Sequence, residues 1–150
     1  MKIELAQISD INRINKVIDS AKRHWGYSDE LMDIWLPDLL LKPEDFDKRS
    51  IWVIKKEKQI IAISSLVFLS NGIYELEDFW VSPANIGCGI GQKMFQFIIN
   101  HLEEIKAVKL VIISDPNAEK FYNKMGASRV DLFASKPEGR MLPIMELLVG

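Results

Sequence analysis

The chain predicts an α/β fold of the α+β kind: a mixed central sheet of about seven strands with helices on both faces. Two patterns predict it. Strand-length apolar runs alternate with segments whose apolar residues recur every three or four positions, in the order β-α-α-β-β-β-α-β-α-β-β. One stretch, Ile73 to Ile113, reads strand, glycine-rich turn, helix, strand. In a sheet that is a right-handed parallel crossover, with the turn at the carboxyl end of a strand, where ligands usually bind.

The elements follow in order. Lys2 to Gln7 alternates as a strand. Ser9 or Asp10 then caps a helix whose stripe is Ile11, Ile14, Val17, Ile18, Ala21 and Trp25, and Gly26 ends it. Ser28 caps a second helix carrying Leu31, Ile34, Trp35 and Leu39, with its limit at Pro43. Three strands form an antiparallel meander: Ile51 to Lys55, Ile60 to Leu69, and, after the hairpin signal Asn71-Gly72, Ile73 to Val81. Gln92 to Ile105 is a helix burying Met94, Phe97, Ile98, Leu102 and Ile105. Val108 to Ile113 is continuously apolar, as in a strand covered on both faces. Pro116 or Asn117 opens a short helix through Lys124, ended by Gly126. Ser128 to Phe133 and Leu142 to Val149 close the sheet around the loop Lys136-Pro137-Glu138-Gly139.

At 150 residues, the expectation is a single domain spanning 1–150, long enough to bury a core. A net charge of −2 argues against nucleic acid or an anionic membrane as partner. The N-terminal residues have no secretory apolar core, and no apolar run reaches the ~18–20 residues of a membrane helix. Cys88 is the only cysteine, which excludes an internal disulfide and fits a reducing, cytoplasmic setting. Its expected role is a small residue in a tight turn.

The most informative segment is Val81-Ser82-Pro83-Ala84-Asn85-Ile86-Gly87-Cys88-Gly89-Ile90-Gly91. Gly87, Gly89 and Gly91 permit positive φ and close backbone approach, so several amides can face one concavity. The helix that follows adds unpaired N-terminal amides and the positive end of its dipole. Together they suit an anion, phosphate above all. The bland alternative is a tight turn that only starts the helix. The dinucleotide fingerprint fits poorly, because Met94 stands where its third glycine belongs, and Gly91-Gln92-Lys93 is not the Gly-Lys-Ser/Thr of a nucleotide phosphate loop.

Three blocks in this order resemble the GCN5-related N-acetyltransferase (GNAT) superfamily: Leu76-Glu77-Asp78-Phe79-Trp80-Val81-Ser82-Pro83, then Gly87-Cys88-Gly89-Ile90-Gly91, then Asn117-Ala118-Glu119-Lys120-Phe121-Tyr122-Asn123-Lys124-Met125-Gly126-Ala127. The resemblance implies an acetyl-CoA-dependent N-acetyltransferase with acetyl-CoA as cosubstrate. Its diphosphate would lie on the motif Arg/Gln-x-x-Gly-x-Gly/Ala, here Gly89 and Gly91, with the main chain of Ile86, Gly87, Cys88, Gly89, Ile90, Gly91 and Gln92 as donors. Ile86 stands where Arg or Gln is expected, which puts cofactor affinity in question. The family splays two parallel strands, here those ending near Val81 and Ile113. The cofactor's amide-bearing arm would then pair with the main chain of Phe79 to Val81 like an added strand. Tyr122 would donate a proton, or a hydrogen bond, to the departing thiolate. Against that, Phe121-Tyr122 could simply pack the helix with the hydroxyl at the surface. Asp115 occupies the place of a customary asparagine, leaving Asn117 to contact cofactor or cap the helix.

Acetyl transfer needs a neutral amine, and a primary amine with pKa near ~10 is mostly protonated at neutral pH. By resemblance a glutamate on the strand before the turn is the base. Strand alternation puts Glu75 and Glu77 on one face and Asp78 on the other, and Glu77 is preferred over Glu75; solvated surface charge is the competing reading. No metal is required, and His24 and His101 have no ligand-like spacing. Tyr27 and Arg140 are the candidate acceptor-pocket residues, with Arg140 suited to a carboxylate, while Trp25 and Trp35 are expected in the core. The acceptor is a small-molecule or peptide amine, and the chain a monomer or homodimer. A non-catalytic acyl-CoA-binding or regulatory module with the same fold is the alternative.

Overall fold

A computed structural model describes residues Lys2 to Gly150. The elements are β1 (Lys2–Leu5), α1 (Ile11–Arg23), α2 (Asp29–Leu39), α3 (Asp45–Lys48), β2 (Ser50–Lys56), β3 (Gln59–Ser70), β4 (Ile73–Val81), α4 (Ile90–Glu104), β5 (Lys109–Ile113), α5 (Glu119–Lys124), β6 (Ser128–Ala134) and β7 (Met141–Leu148). This is the expected order, with the single-turn α3 added. The strands form a seven-stranded sheet in the order β1-β2-β3-β4-β5-β7-β6. β4 and β5 run parallel, while β1–β2, β2–β3, β5–β7 and β6–β7 are antiparallel. Among the described residues no helix is long and apolar enough to cross a membrane.

Contacts divide the chain into two compact units, Met1–Leu66 with Asp78–Met94, and Val67–Glu77 with Phe95–Gly150. In the first, β2 and β3 are buried on both faces. Ile14, Val17 and Ile18 of α1 pack with Ile51, Val53 and Ile63, whereas Ile54, Ile61 and Ala62 pack with Ile90 and Met94 of α4. Each such aliphatic side chain contributes about 1.5–3 kcal/mol on burial. The α1 stripe ends differently from expectation: the next residue on the buried face after Ile18 and Ala21 is Lys22, while Trp25 is 44% exposed. The helix stops at Arg23, and the turn beyond it places Trp25 off the stripe.

Two capping expectations resolve differently. Ser28 caps α2, its Oγ accepting from the Leu31 amide at 3.2 Å. Asp10 instead reaches back, accepting from the Gln7 amide at 2.9 Å and pairing with Arg13 and Lys55. Burial pushes the Asp10 carboxyl up, but the Gln7 amide and the Lys55 and Arg13 charges outweigh it and hold it below the usual carboxylate range. The second helix ends at Leu39, well before Pro43. Asn15 of α1 engages the Leu41 main chain through both its amide atoms, at 2.8 and 3.0 Å, so the chain leaves the helix there.

In the second unit, the Asn71-Gly72 hairpin forms as expected. A Cβ on Gly72 would lie 2.8 Å from Val108 Cγ2, and its carbonyl accepts from the Val108 and Lys109 amides, so only glycine fits. The long helix starts two residues earlier than expected. Phe95, not Phe97, is its buried aromatic, and Ile105 lies past the helix end, 42% exposed. On β5, burial alternates: Leu110 and Ile112 are buried while Lys109, Val111 and Ile113 are half-buried. The strand is therefore not sealed on both faces. The β4–β5 ladder pairs Ile73, Tyr74 and Glu75 with Lys109, Leu110 and Val111, and both strands continue beyond it. Every residue of β6 is exposed.

Candidate active site

The glycine turn follows β4 and a 3₁₀ turn at Pro83–Asn85. Gly87 and Gly89 adopt φ of +83° and +79°, the left-handed region that L side chains rarely enter, and a Cβ at either would meet nothing within 4 Å. No packing demands a glycine at either position; the backbone conformation does. Gly91 lies inside α4. The helix's own bonding begins where the Lys93 amide donates to the Gly89 carbonyl at 3.1 Å. The amides of Ile90, Gly91 and Gln92 precede that bond, so they are first-turn donors without a partner in the helical ladder. Ile90 anchors the turn, its side chain buried with Met94. Ile86 is half exposed, and Cys88 is exposed with its thiol 4.0 Å from the Ile86 carbonyl.

Phe79 and Val81 turn their side chains onto the cluster of Ile54, Ile61 and Met94. Just before them sits a buried polar network that alternation alone did not reveal. Asp78 is 4% exposed; its carboxylate accepts from Arg49 at 2.7 Å and from Ser65 Oγ at 2.5 Å, and its amide donates to Ser65 Oγ at 3.1 Å. Arg49 also reaches Asp45 at 3.3 Å. The network ties β4 to β3 and to the chain after α3. In the other unit, Glu77 is exposed on β4 and Glu75 half-buried, which agrees with their placement on the face opposite Asp78.

Tyr122 lies on α5, buried at 6% exposure, its ring against Phe95 and Phe121. A surface hydroxyl, the bland expectation, is not what the fold gives. Burial, reinforced by the negative charge of Asp115, pushes its phenol well above the ordinary tyrosine range, so it remains protonated. Asp115 has the capping role considered for Asn117: its Oδ1 accepts from the Asn117 amide at 2.9 Å and from the Asn117 side chain at 3.0 Å. Its Oδ2 lies 3.5 Å from Arg140, which also donates to Ser135 Oγ at 3.2 Å. Arg140 therefore serves Asp115 and its own loop.

Tyr27, in the first unit, is half-buried and meets Trp35 edge-on, ring centroids 4.6 Å apart at 84°. Trp35 is in the core as expected. Sequence reasoning passed over Lys22 beside them. Its signal was position: it stands four residues after Ile18 on the apolar face of α1.

Comparison with known proteins fits this geometry. PaiA N-acetyltransferase from Thermoplasma acidophilum, solved with coenzyme A, superposes with a TM-score of 0.76 at 16% identity, covering 97% of this chain and 98% of that one. The ribosomal-protein-S18-alanine N-acetyltransferase of Escherichia coli gives 0.74 at 13% identity, covering 99% and 93%. An acetyltransferase of the GNAT family from Staphylococcus aureus Mu50 gives 0.74 at 17%, covering 99% of both chains. At these identities the likeness is one of fold. No curated protein sequence matches. The acetyltransferase (GNAT) family profile matches residues 13–127, through the glycine turn and up to the end of the Tyr122 helix. On that match, the chain belongs to the acetyltransferase (GNAT) family.

Proposed function

We propose that residues 1–150 work as one N-acetyltransferase domain. It moves an acetyl group from acetyl-CoA to a primary amine of a small molecule or peptide, by direct transfer in a ternary complex. The observation that carries this reading is the turn. Two left-handed glycines with open space at their Cβ positions stand immediately before the free first-turn amides of α4. That cradle fits a diphosphate: main-chain donors at Gly87 to Gln92 and a helix dipole supply the charge complement without a cation. Acetyl-CoA supplies an acetyl group already activated as a thioester. The short β4–β5 ladder supports the strand-like seat for its amide-bearing arm.

Glu77, exposed on β4, takes a proton from the acceptor ammonium and passes it to water, with Glu75 as the second candidate. A backbone amide near Val81 polarises the carbonyl under attack. Tyr122 stays neutral and donates a hydrogen bond to the departing sulfur. Asn117 sits at the same helix start and contacts cofactor.

The test is incubation with acetyl-CoA and a pooled set of amines, read as free thiol and as the mass gain of one acetyl group. CoA binding by calorimetry with no thiol release on a broad panel would favour the non-catalytic acyl-CoA module, the reading that exposed Ile86 at the Arg/Gln position supports. No heat of CoA binding at all would end both readings.

A further inference from the structure

Asp115 and Arg140 form a largely desolvated ion pair, guanidinium to Oδ2 at 3.5 Å, with side chains 7% and 16% exposed. The local fold needs only half of it. Asp115 caps the turn that opens into α5, accepting from the Asn117 amide at 2.9 Å. A neutral side-chain oxygen caps as well, so the negative charge is surplus to the helix start. That charge reaches Tyr122: burial first, and then Asp115, oppose ionisation of its phenol. Any other negative charge forming at that hydroxyl meets the same opposition, and burial denies it the screening of water.

Arg140 answers the charge from a fixed position. It stands where the loop after β6 returns to β7, and that loop closes through its own main chain. The Ser135 amide donates to the Arg140 carbonyl at 2.8 Å, and the Arg140 amide to the Pro137 carbonyl at 3.0 Å. The guanidinium also donates to Ser135 Oγ at 3.2 Å. A side chain held in this way loses little further freedom in pairing with Asp115. We propose that Arg140 is a positioning residue for the leaving group: it neutralises Asp115, so that a coenzyme A thiolate can form beside Tyr122. When the C–S bond of the tetrahedral intermediate breaks, its electron pair goes to sulfur, and the acceptor's proton leaves through Glu77. The proposal rests on the acetyltransferase reading for the sulfur's place beside Tyr122, but the sulfur can be titrated without turnover.

The thiol of bound CoA is titrated by its thiolate absorbance, as the difference from the S-methyl-CoA complex, and kcat and KM are measured beside it. In Arg140→Met the bound thiol should ionise at a pH higher by about one unit or more. There kcat should fall about tenfold, while KM for acetyl-CoA moves less than about threefold. Arg140→Lys should restore most of both losses. In an Asp115→Asn background, Arg140→Met should move the thiol by less than about half a pH unit, because no charge is left to neutralise. Arg140→Gln, which keeps a donor without the charge, serves if Arg140→Met fails to fold. A thiol that ionises at the wild-type pH without Arg140, or shifts equally in both backgrounds, overturns the proposal. Unchanged kcat in an enzyme that turns over does the same. A shifted thiol with no thiol release from any amine leaves the pair's role standing and sinks the acetyltransferase reading instead, and CoA that gives no heat of binding ends both.

Discussion

Tyr122→Phe separates two jobs the tyrosine could do. A buried phenol held above its ordinary range is a weaker acid than a thiol, whose reference pKa is ~8.5. Full proton transfer from Tyr122 to the leaving sulfur is therefore uphill, and a hydrogen bond to developing charge is the contribution left to it. Such a bond is worth about 1.5–3 kcal/mol. At ~1.36 kcal/mol per decade, kcat should fall about ten- to a hundredfold. A full general acid would cost up to about 10⁴-fold. Loss of the hydroxyl should destabilise the fold by only about 1 kcal/mol. A domain of ordinary stability, ~5–15 kcal/mol, then remains folded, so the drop in rate cannot be unfolding. KM for acetyl-CoA should move less than about threefold. Tyrosine ionises near ~10 in an unfolded chain and higher in this fold, so its stabilising contribution is intact below that pH and drains away as pH rises further. The Phe variant should lack that part of the alkaline loss. Thiol release by stopped assay and thermal melts at pH 8 to 11 read both effects; kcat within threefold of wild type would remove Tyr122 from the chemistry.

Two further substitutions probe the turn and its support. Gly89→Ala meets no atom within 4 Å, so its cost to the fold is the left-handed backbone alone, about 1–2 kcal/mol. CoA affinity should fall at least about tenfold (~1.4 kcal/mol), since the methyl enters the proposed phosphate space; an unchanged calorimetric Kd would exclude the turn from cofactor binding. Asp78→Ala strands the largely buried Arg49 guanidinium with Asp45 alone, and breaking a buried pair typically costs about 3–5 kcal/mol. A loss of unfolding free energy under about 1 kcal/mol, read from urea denaturation, would show that the network does not hold β4.

What was legible in the sequence was what local pattern decides. The order of strands and helices, the Asn71-Gly72 hairpin and the Ser28 cap each follow from residues within a few positions of one another. Some of the errors came from helix ends, and others from partners distant in sequence. Helix α2 stops early because Asn15, 26 residues before Leu41, takes over that residue's main chain. Asp78 was separable from Glu75 and Glu77 by parity, yet its ion pair with Arg49 spans 29 residues. Lys22 was hidden for another reason: a lysine next to a helix terminus reads as solvated, whereas Tyr27, Trp35 and Trp80 set their rings around its ammonium.

The same distinction bears on the proposed phosphate cradle, which has Ile86 where a cation would stand. A side chain that grips phosphate must be held in place by its neighbours, and it contributes its charge at the cost of rotamer freedom. Amides at the start of α4 need neither, because the helix and the buried Ile90 and Met94 side chains already fix them. An apolar residue at that position therefore removes one contact and leaves the donors of the cradle intact. The two left-handed glycines are a different matter. They set where the main chain passes and leave their Cβ positions open. Losing either should weaken CoA more than replacing Ile86 with arginine would strengthen it, and that ranking follows from backbone geometry alone.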